Sequence, residues 1–126
     1  MKEGLGLEYL NYLVIALFLF FIINRIIPAK GVRQISTSDL KNELKDKNKQ
    51  FVDVRTPGEF KGNSIRGFKN LPIHQLAQKA EKELTKDKEV IVICQSGMRS
   101  QKASKMLKKL GFTKVTNVKG GMSAWR

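Results

Sequence analysis

VIVICQSGMRS, residues 90–100, joins a short apolar run to a polar loop and decides the fold class. The run Val90–Ile93 is β-branched throughout, as expected for a strand covered on both faces. From Ser100 to Leu110 the apolar residues recur with a helical period, and Gly111 is a suitable helix stop. A buried strand that leads through a short loop into a helix is typical of an α/β fold.

Strands and helices alternate along the rest of the chain after residue 32. Besides the central strand, strands are predicted at Gln34–Ser36, Phe51–Val54 and Lys114–Val118. Further helices are predicted after the cap residues Ser36–Asp39, from Thr56 onward, and over His74–Leu84. This alternation predicts a central, mostly parallel sheet flanked by helices. Functional sites in such sheets lie beyond the carboxyl ends of the strands, which is where Cys94 falls.

The first 28 residues contain an unbroken apolar run, Tyr12–Ile23, with no charge, Gly or Pro. The wider window Tyr9–Pro28 carries one charge, Arg25, and has the length of a helix that spans a bilayer. We therefore predict a tail and one transmembrane helix over residues 1–28, a linker over 29–32, and a folded domain over 33–126.

Two other interpretations of the apolar run fit the sequence less well. A cleaved signal peptide has a basic start and a small-residue cleavage site, whereas Lys2 is followed by Glu3 and Glu8. A buried core helix is the other alternative, but this run is apolar on every face and the small domain behind it could not enclose such a helix. A membrane anchor is the preferred interpretation, with lipid as its partner.

The charges that flank the apolar run predict its orientation. Arg25, Lys30 and Arg33 follow the run, while the only basic residue before it is Lys2. Basic residues favour the cytoplasmic side of a membrane. We therefore expect a single-pass protein of the cell membrane whose C-terminal domain faces the cytoplasm.

The composition limits the class of partner. The chain has 24 Lys and Arg residues against 11 acidic ones, a formal net charge of +13. Such a surface attracts anionic lipid headgroups, nucleic acid or small anions, and a solvated lysine surface without a partner is an equally good interpretation. Nucleic acid is the least favoured partner, because no aromatic residues alternate with the lysines. The single cysteine rules out an internal disulfide framework and fits a reducing compartment.

The loop after the central strand carries the candidate catalytic residue, Cys94. Backbone N–H groups of a short loop can surround the sulfur, Gly97 supplies the required backbone freedom, and the following helix adds partial positive charge. These effects favour the thiolate, which is the attacking species. Arg99 is expected to bind an anionic donor or to hold the loop. A structural cysteine at a strand end is the alternative. The residues assigned to the active-site loop are Gln95, Ser96, Gly97, Met98, Arg99 and Ser100.

Four short motifs occur in order along residues 33–126. They are Asp53-Val54-Arg55 with Glu59-Phe60; Ile65, Gly67, Asn70 and Pro72; Cys94 to Arg99; and Gly120-Gly121 with Ala124-Trp125. Together they resemble the signatures of the rhodanese family of sulfurtransferases. One departure is Asn63-Ser64, which stands where the family has Gly-His. We expect Asn63 to tolerate the left-handed conformation of the glycine, and the missing histidine to remove a structural hydrogen bond.

The resemblance implies sulfur transfer through a persulfide on Cys94. The donor would be a small anion such as thiosulfate or another persulfide, the acceptor a thiol or a protein, and no metal or organic cofactor is needed. Related phosphatases have one more residue between Cys and Arg, so the spacing from Cys94 to Arg99 favours sulfur over phosphate esters. Asp53, Arg55 and Glu59 are expected to brace the site, with Glu59 paired to Arg55. The alternative function is a membrane-tethered persulfide carrier or sensing module with little turnover on free substrates.

Overall fold

The computed structural model describes residues 2–27 and 30–126, without the side chains of residues 2–5, 25 and 26. Pro28 and Ala29, at the predicted junction of anchor and linker, lie outside the described residues, as does the side chain of Arg25. The predicted domain boundaries therefore stay predictions.

A five-stranded sheet forms the centre of the fold. Its strands are β1 (Val32–Ile35), β2 (Gln50–Asp53), β3 (Lys69–Asn70), β4 (Val90–Ile93) and β5 (Val115–Val118). The helices are α1 (Lys2–Ile26), α2 (Thr37–Glu43), α3 (Pro57–Gly62), α4 (Leu76–Glu83), α5 (Met98–Lys109) and α6 (Gly121–Ala124). The strand order is β1-β5-β4-β2-β3, and every pairing is parallel. The predicted α/β class with a parallel sheet is confirmed.

The central strand β4 separates two hydrophobic clusters, one on each face of the sheet. Val90 and Val92 pack in the cluster that includes residues of α4 and α5. Ile91 and Ile93 pack in the other cluster, which contains Leu40 of α2. All four β4 side chains are fully buried. Burying such a side chain stabilises the fold by about 1.5–3 kcal/mol relative to leaving it exposed. This two-sided burial explains the continuous apolar run.

Side-chain caps begin the two short helices on either side of β2. Ser36 and Asp39 form a capping box at the start of α2, and Thr56 and Glu59 form one at the start of α3. Each box satisfies backbone N–H groups that the first helical turn leaves unpaired. The predicted helix starts at these positions are confirmed. The helical period over residues 76–84 predicts that Ala77 lies in the buried stripe of α4, but Ala77 is exposed.

The N-terminal helix α1 is 25 residues long and stands apart from the core. Its window Gly6–Asn24 is long and apolar enough to cross a membrane, and none of that window is buried. A signal sequence meets the same criteria of length and composition. The lack of burial argues against a core helix.

Candidate active site

Cys94 directly follows β4 at the carboxyl edge of the sheet, and its side chain is fully buried. The Gly97 N–H donates a hydrogen bond to the Cys94 Sγ at 3.0 Å. The Cys94 thiol lies 3.3 Å from the Ser100 Oγ, whose hydroxyl donates to the Gly97 carbonyl at 3.0 Å. Since the serine hydrogen is used in that bond, the thiol donates to Ser100 in this arrangement. The turn from Cys94 to Ser100 therefore encloses the sulfur.

The segment after Cys94 is shorter than the sequence predicts, because α5 begins at Met98 rather than at Ser100. Gly97 is the reason: it adopts a left-handed φ of +104° and turns the chain directly into the helix. Met98 and Arg99 consequently lie in the first turn of α5. The partial positive charge of this helix end lies beside the sulfur, where it favours a negative charge. Gln95, Ser96 and Met98 are exposed and form the outer surface of the turn.

Arg99 pairs with Glu59, which is contrary to one sequence prediction. Its two guanidinium nitrogens donate to the Glu59 carboxylate at 2.6 and 2.9 Å. The hydrogen bond from Arg99 lowers the pKa of Glu59 from its usual 4.5 to about 2, with smaller help from Thr56. The same hydrogen bond raises the pKa of Arg99. The prediction that Glu59 pairs with Arg55 is wrong, because Arg55 is already bound by Asp53.

The Asp53–Arg55 ion pair lies beneath the loop and is almost completely buried, with side-chain exposures of 0% and 3%. The Arg55 Nε and Nη2 donate to the two Asp53 carboxylate oxygens at 3.0 and 2.9 Å. The Arg55 Nη1 reaches the Gln95 side-chain oxygen at 3.4 Å, and the Nη2 also donates to the Asn63 carbonyl. These contacts support a bracing role for the pair, which stays a prediction until variants are measured.

Asn63 does not adopt the left-handed conformation expected from its place in the family motif. Its φ is −167°, which is ordinary extended backbone, and its carbonyl accepts the hydrogen bond from Arg55. The expectation that Asn63 substitutes for a left-handed glycine is therefore wrong. The contact made here uses a backbone oxygen, which any residue at this position would supply.

The C-terminal segment holds the start of the active-site loop, a role that the sequence reasoning missed. The Met122 N–H donates to the Cys94 carbonyl at 2.8 Å, and the Ser123 N–H donates to the Gln95 carbonyl at 2.9 Å. A Cβ on Gly121 would lie 2.2 Å from the Cys94 carbonyl oxygen, so only glycine permits this approach. The Gly120-Gly121 motif was the signal that pointed to this contact.

Asn70 is a second supporting residue whose role the sequence did not reveal. Its Nδ2 donates to the Asp53 and Arg55 carbonyls at 3.0 and 2.9 Å. It therefore ties β3 to the turn that follows β2 and fixes the backbone on which the buried ion pair is built.

Comparison with known proteins identifies the family. The family model named "Rhodanese-like domain" matches residues 36–126. The chain belongs to the rhodanese-like family. A crystal structure of a rhodanese-like domain protein from Staphylococcus aureus is 33% identical, has a TM-score of 0.69, and covers 75% of this chain and 92% of its own.

Two curated relatives agree with the rhodanese-like assignment. The uncharacterized protein YqhL of Bacillus subtilis is 36% identical over 117 residues, which cover 91% of this chain and 92% of that protein. A protein of Allochromatium vinosum named "Sulfurtransferase" is 35% identical over 95 residues, covering 75% of this chain and 88% of its own. The family model and the Allochromatium vinosum relative support a sulfur-transfer function at the level of the rhodanese-like family.

Proposed function

We propose that this rhodanese-like chain transfers sulfane sulfur through a persulfide on Cys94. The observation that carries the proposal is the enclosure of the Cys94 sulfur by the Gly97 N–H and the first turn of α5 at the carboxyl edge of the sheet. A donated N–H and a helix amino end both stabilise negative charge on sulfur. The proposed donor is thiosulfate or another sulfane compound, and the proposed acceptor is a thiol or a protein.

The proposed reaction has two displacement steps. The Cys94 thiol loses its proton to solvent, and the thiolate attacks the outer sulfur of thiosulfate. The new S–S bond forms as the sulfur–sulfur bond of thiosulfate breaks, and sulfite leaves with the bonding electron pair. An acceptor thiolate or cyanide then attacks the outer sulfur of the persulfide, and the Cys94 thiolate is restored. No metal or organic cofactor takes part.

Access to the sulfur requires movement of the loop, because Cys94 is fully buried. The neighbouring loop residues Gln95, Ser96 and Met98 are exposed, so movement of this turn is proposed to open a path to the sulfur. The Arg99 side chain is 36% exposed, and a guanidinium has five N–H donors, of which the two contacts to Glu59 use a part. Arg99 is therefore proposed to hold the loop through Glu59 and to attract the anionic donor to the same place.

The direct test is thiosulfate:cyanide sulfur transfer by the full chain beside a Cys94→Ser variant. We expect the variant to lose at least about a thousandfold in rate, because a serine hydroxyl is a far weaker nucleophile at neutral pH. Ser38→Ala, an exposed change on α2, serves as the matched control and should keep full activity. Equal activity in Cys94→Ser and the native chain would refute the proposal.

A second candidate function, a persulfide carrier or sensing module, is favoured by the full burial of Cys94. Because a buried sulfur is hard for free cyanide to reach, this function predicts slow turnover with cyanide and a long-lived persulfide that passes to a protein partner. Intact-mass measurement after thiosulfate treatment and removal of excess donor distinguishes the two functions. A stable added sulfur with slow cyanide turnover supports the carrier, rapid turnover supports the enzyme, and no added sulfur contradicts both.

We also propose that α1 tethers the domain to the cell membrane with the domain facing the cytoplasm. The apolar window Gly6–Asn24 and its lack of burial support the tether. The match to YqhL covers 91% of this chain, which is more than residues 30–126 make up. The matched region therefore extends into the sequence of α1. Basic residues after the span favour the cytoplasmic orientation. Extraction of the chain from membranes by alkaline carbonate would contradict the tether, and protease digestion of the domain from the outer side would contradict the orientation.

A further inference from the structure

A cavity of about 410 Å³ lies between the last turns of α1 and the first turns of α5. It is lined by Phe21, Asn24, Met98, Arg99, Lys102 and Lys105. The apolar part of the lining comes from Phe21 and Met98, and the cationic part comes from α5. The same helix end also holds the active-site loop, so the cavity adjoins the site.

A hydrogen bond joins the end of α1 to the domain. The Lys105 Nζ donates to the Asn24 carbonyl at 3.2 Å. In a helix that carbonyl would accept from the amide of residue 28, but residue 28 is a proline and has no N–H. The lysine thus donates to a carbonyl that cannot accept the usual helical hydrogen bond from residue 28, and it lies at the negative end of the helix dipole. Since Asn24 is the last residue of the apolar window, α5 lies where that window ends.

The positive charge along this face of α5 exceeds the negative charge around it. Arg99, Lys102 and Lys105 are spaced three residues apart and lie on neighbouring turns of one helix face. Within the described residues, the carboxylate that pairs with this set is Glu59, and it binds Arg99. In the described part of the chain neither Lys102 nor Lys105 pairs with a carboxylate, so both present positive charge beside the apolar side chains of the cavity.

We propose that this cavity binds the headgroup of an acidic phospholipid, with the phosphate on Lys102 and Lys105 and the acyl chains along the apolar surface of α1. An apolar floor beside two cations, at the end of a membrane-spanning window, matches the chemistry of an anionic lipid at the interface. The inference rests on the tether proposed above. It places Met98 and Arg99, which begin the helix after the Cys94 loop, near the membrane surface, so that donors and acceptors would approach along the bilayer.

The test measures how the full chain, reconstituted in phosphatidylcholine vesicles, associates with spin-labelled phosphatidylglycerol relative to spin-labelled phosphatidylcholine. The native chain should prefer the acidic lipid several-fold. Lys102→Gln combined with Lys105→Gln should reduce that preference by roughly threefold or more, since each lysine near the surface contributes to the attraction. Lys45→Gln combined with Lys47→Gln removes the same charge from exposed positions beyond α2 and should leave the preference intact.

Several outcomes would overturn the inference. The native chain could show no preference for the acidic lipid, or the Lys102 and Lys105 pair could be replaced without effect. Loss of the preference on adding inorganic phosphate at constant ionic strength would show that the cavity takes free anions instead. A chain that fails to enter vesicles overturns the tether together with this inference. Sulfur transfer is not used as the readout, so its failure leaves the lipid result standing.

Discussion

The two ends of the parallel sheet both collect charged residues, but they use them in different ways. At the amino end, Arg33 pairs with Glu43 and Glu89, and Lys49 pairs with the same two glutamates. Each charge there has more than one partner, and the Arg33 side chain is 49% exposed. At the carboxyl end, a nearly buried ion pair underlies the loop that encloses the sulfur. Each of these charges at the amino end is shared between at least two groups of opposite charge, whereas the described ion pair of Arg55 at the carboxyl end has Asp53 as its single charged partner.

The largest expected effect of a charge change is at the carboxyl end, in Asp53→Asn. The substitution leaves the buried Arg55 guanidinium without its counter-charge, and breaking a buried pair in this way costs about 3–5 kcal/mol. The free energy of unfolding is measured by urea denaturation in detergent, followed by the fluorescence of Trp125, the single tryptophan. If Asp53→Asn lowered the free energy of unfolding by less than about 1 kcal/mol, the buried pair at the carboxyl end would depend on its single charged partner no more than the shared pairs at the amino end do.

Gly121→Ala tests the contact between the C-terminal segment and the loop. The added methyl group would lie 2.2 Å from the Cys94 carbonyl oxygen at a φ of +55°, so the backbone must move. We expect a destabilisation of about 2–4 kcal/mol together with a loss of sulfur transfer. Gly67→Ala is the matched control, because it carries a positive φ but would meet no atom within 4 Å. Equal losses in the two variants would show that φ alone matters and that the close approach does not.

Glu43→Gln, at the amino end, should have a smaller effect. Arg33 and Lys49 lose one partner but keep Glu89, at 2.7 and 3.7 Å. We expect a loss of about 1 kcal/mol or less, which should shrink further at high salt because the network is partly in contact with solvent. Urea denaturation at low and high salt provides the measurement. A loss as large as that of Asp53→Asn would contradict the idea of shared partners.

The pairing of Glu59 with Arg99 predicts the smallest effect, and one that depends on pH. The pKa of Glu59 is about 2 in the folded chain against a usual 4.5, so the folded chain binds fewer protons than the unfolded chain between these values. The stabilisation is therefore complete above about pH 4.5 and is lost as the pH falls towards 2. Because the pair is partly exposed, we expect less than about 1 kcal/mol.

Glu59→Gln is the comparison for that pH dependence. It lacks the titrating carboxylate, so the difference in unfolding free energy between the native chain and the variant should shrink as the solution is acidified. The control is Gln78→Ala on the exposed surface of α4, which changes no titratable group, so its difference from the native chain should stay constant as the pH falls. A constant difference between the native chain and Glu59→Gln from neutral pH to pH 3 would rule out the ion pair as its source.

The strands and helices that have a clear local sequence pattern could be predicted from the sequence. The apolar run of β4 and the capping boxes of α2 and α3 follow from local residues, because burial on two faces and unpaired N–H groups leave clear signals. The two-residue strand β3 gave no such signal. It exists because Asn70 pairs with Asp53, an interaction that only the assembled sheet provides.

The site was predictable as a set of residues but not as a set of contacts. Arg55 and Arg99 are both reasonable partners for Glu59 from the sequence, and the choice depends on how α3 packs against the first turn of α5, 40 residues later in the chain. The sequence predicts that the loop surrounds the sulfur, but not that the sulfur is fully buried. Its burial follows from the sharp turn at Gly97 and from the C-terminal segment, which folds over Cys94.

The burial of Cys94 also determines how the thiol meets oxidants. Peroxide must reach the sulfur to form sulfenic acid, and a resting chain with a closed loop offers it no exposed surface. The chain has no second cysteine with which a sulfenic acid could form a protective internal disulfide, and oxidation beyond the sulfenic acid is irreversible. The closed turn thus protects the Cys94 sulfur, and any change that holds the turn open would expose the sulfur to irreversible oxidation.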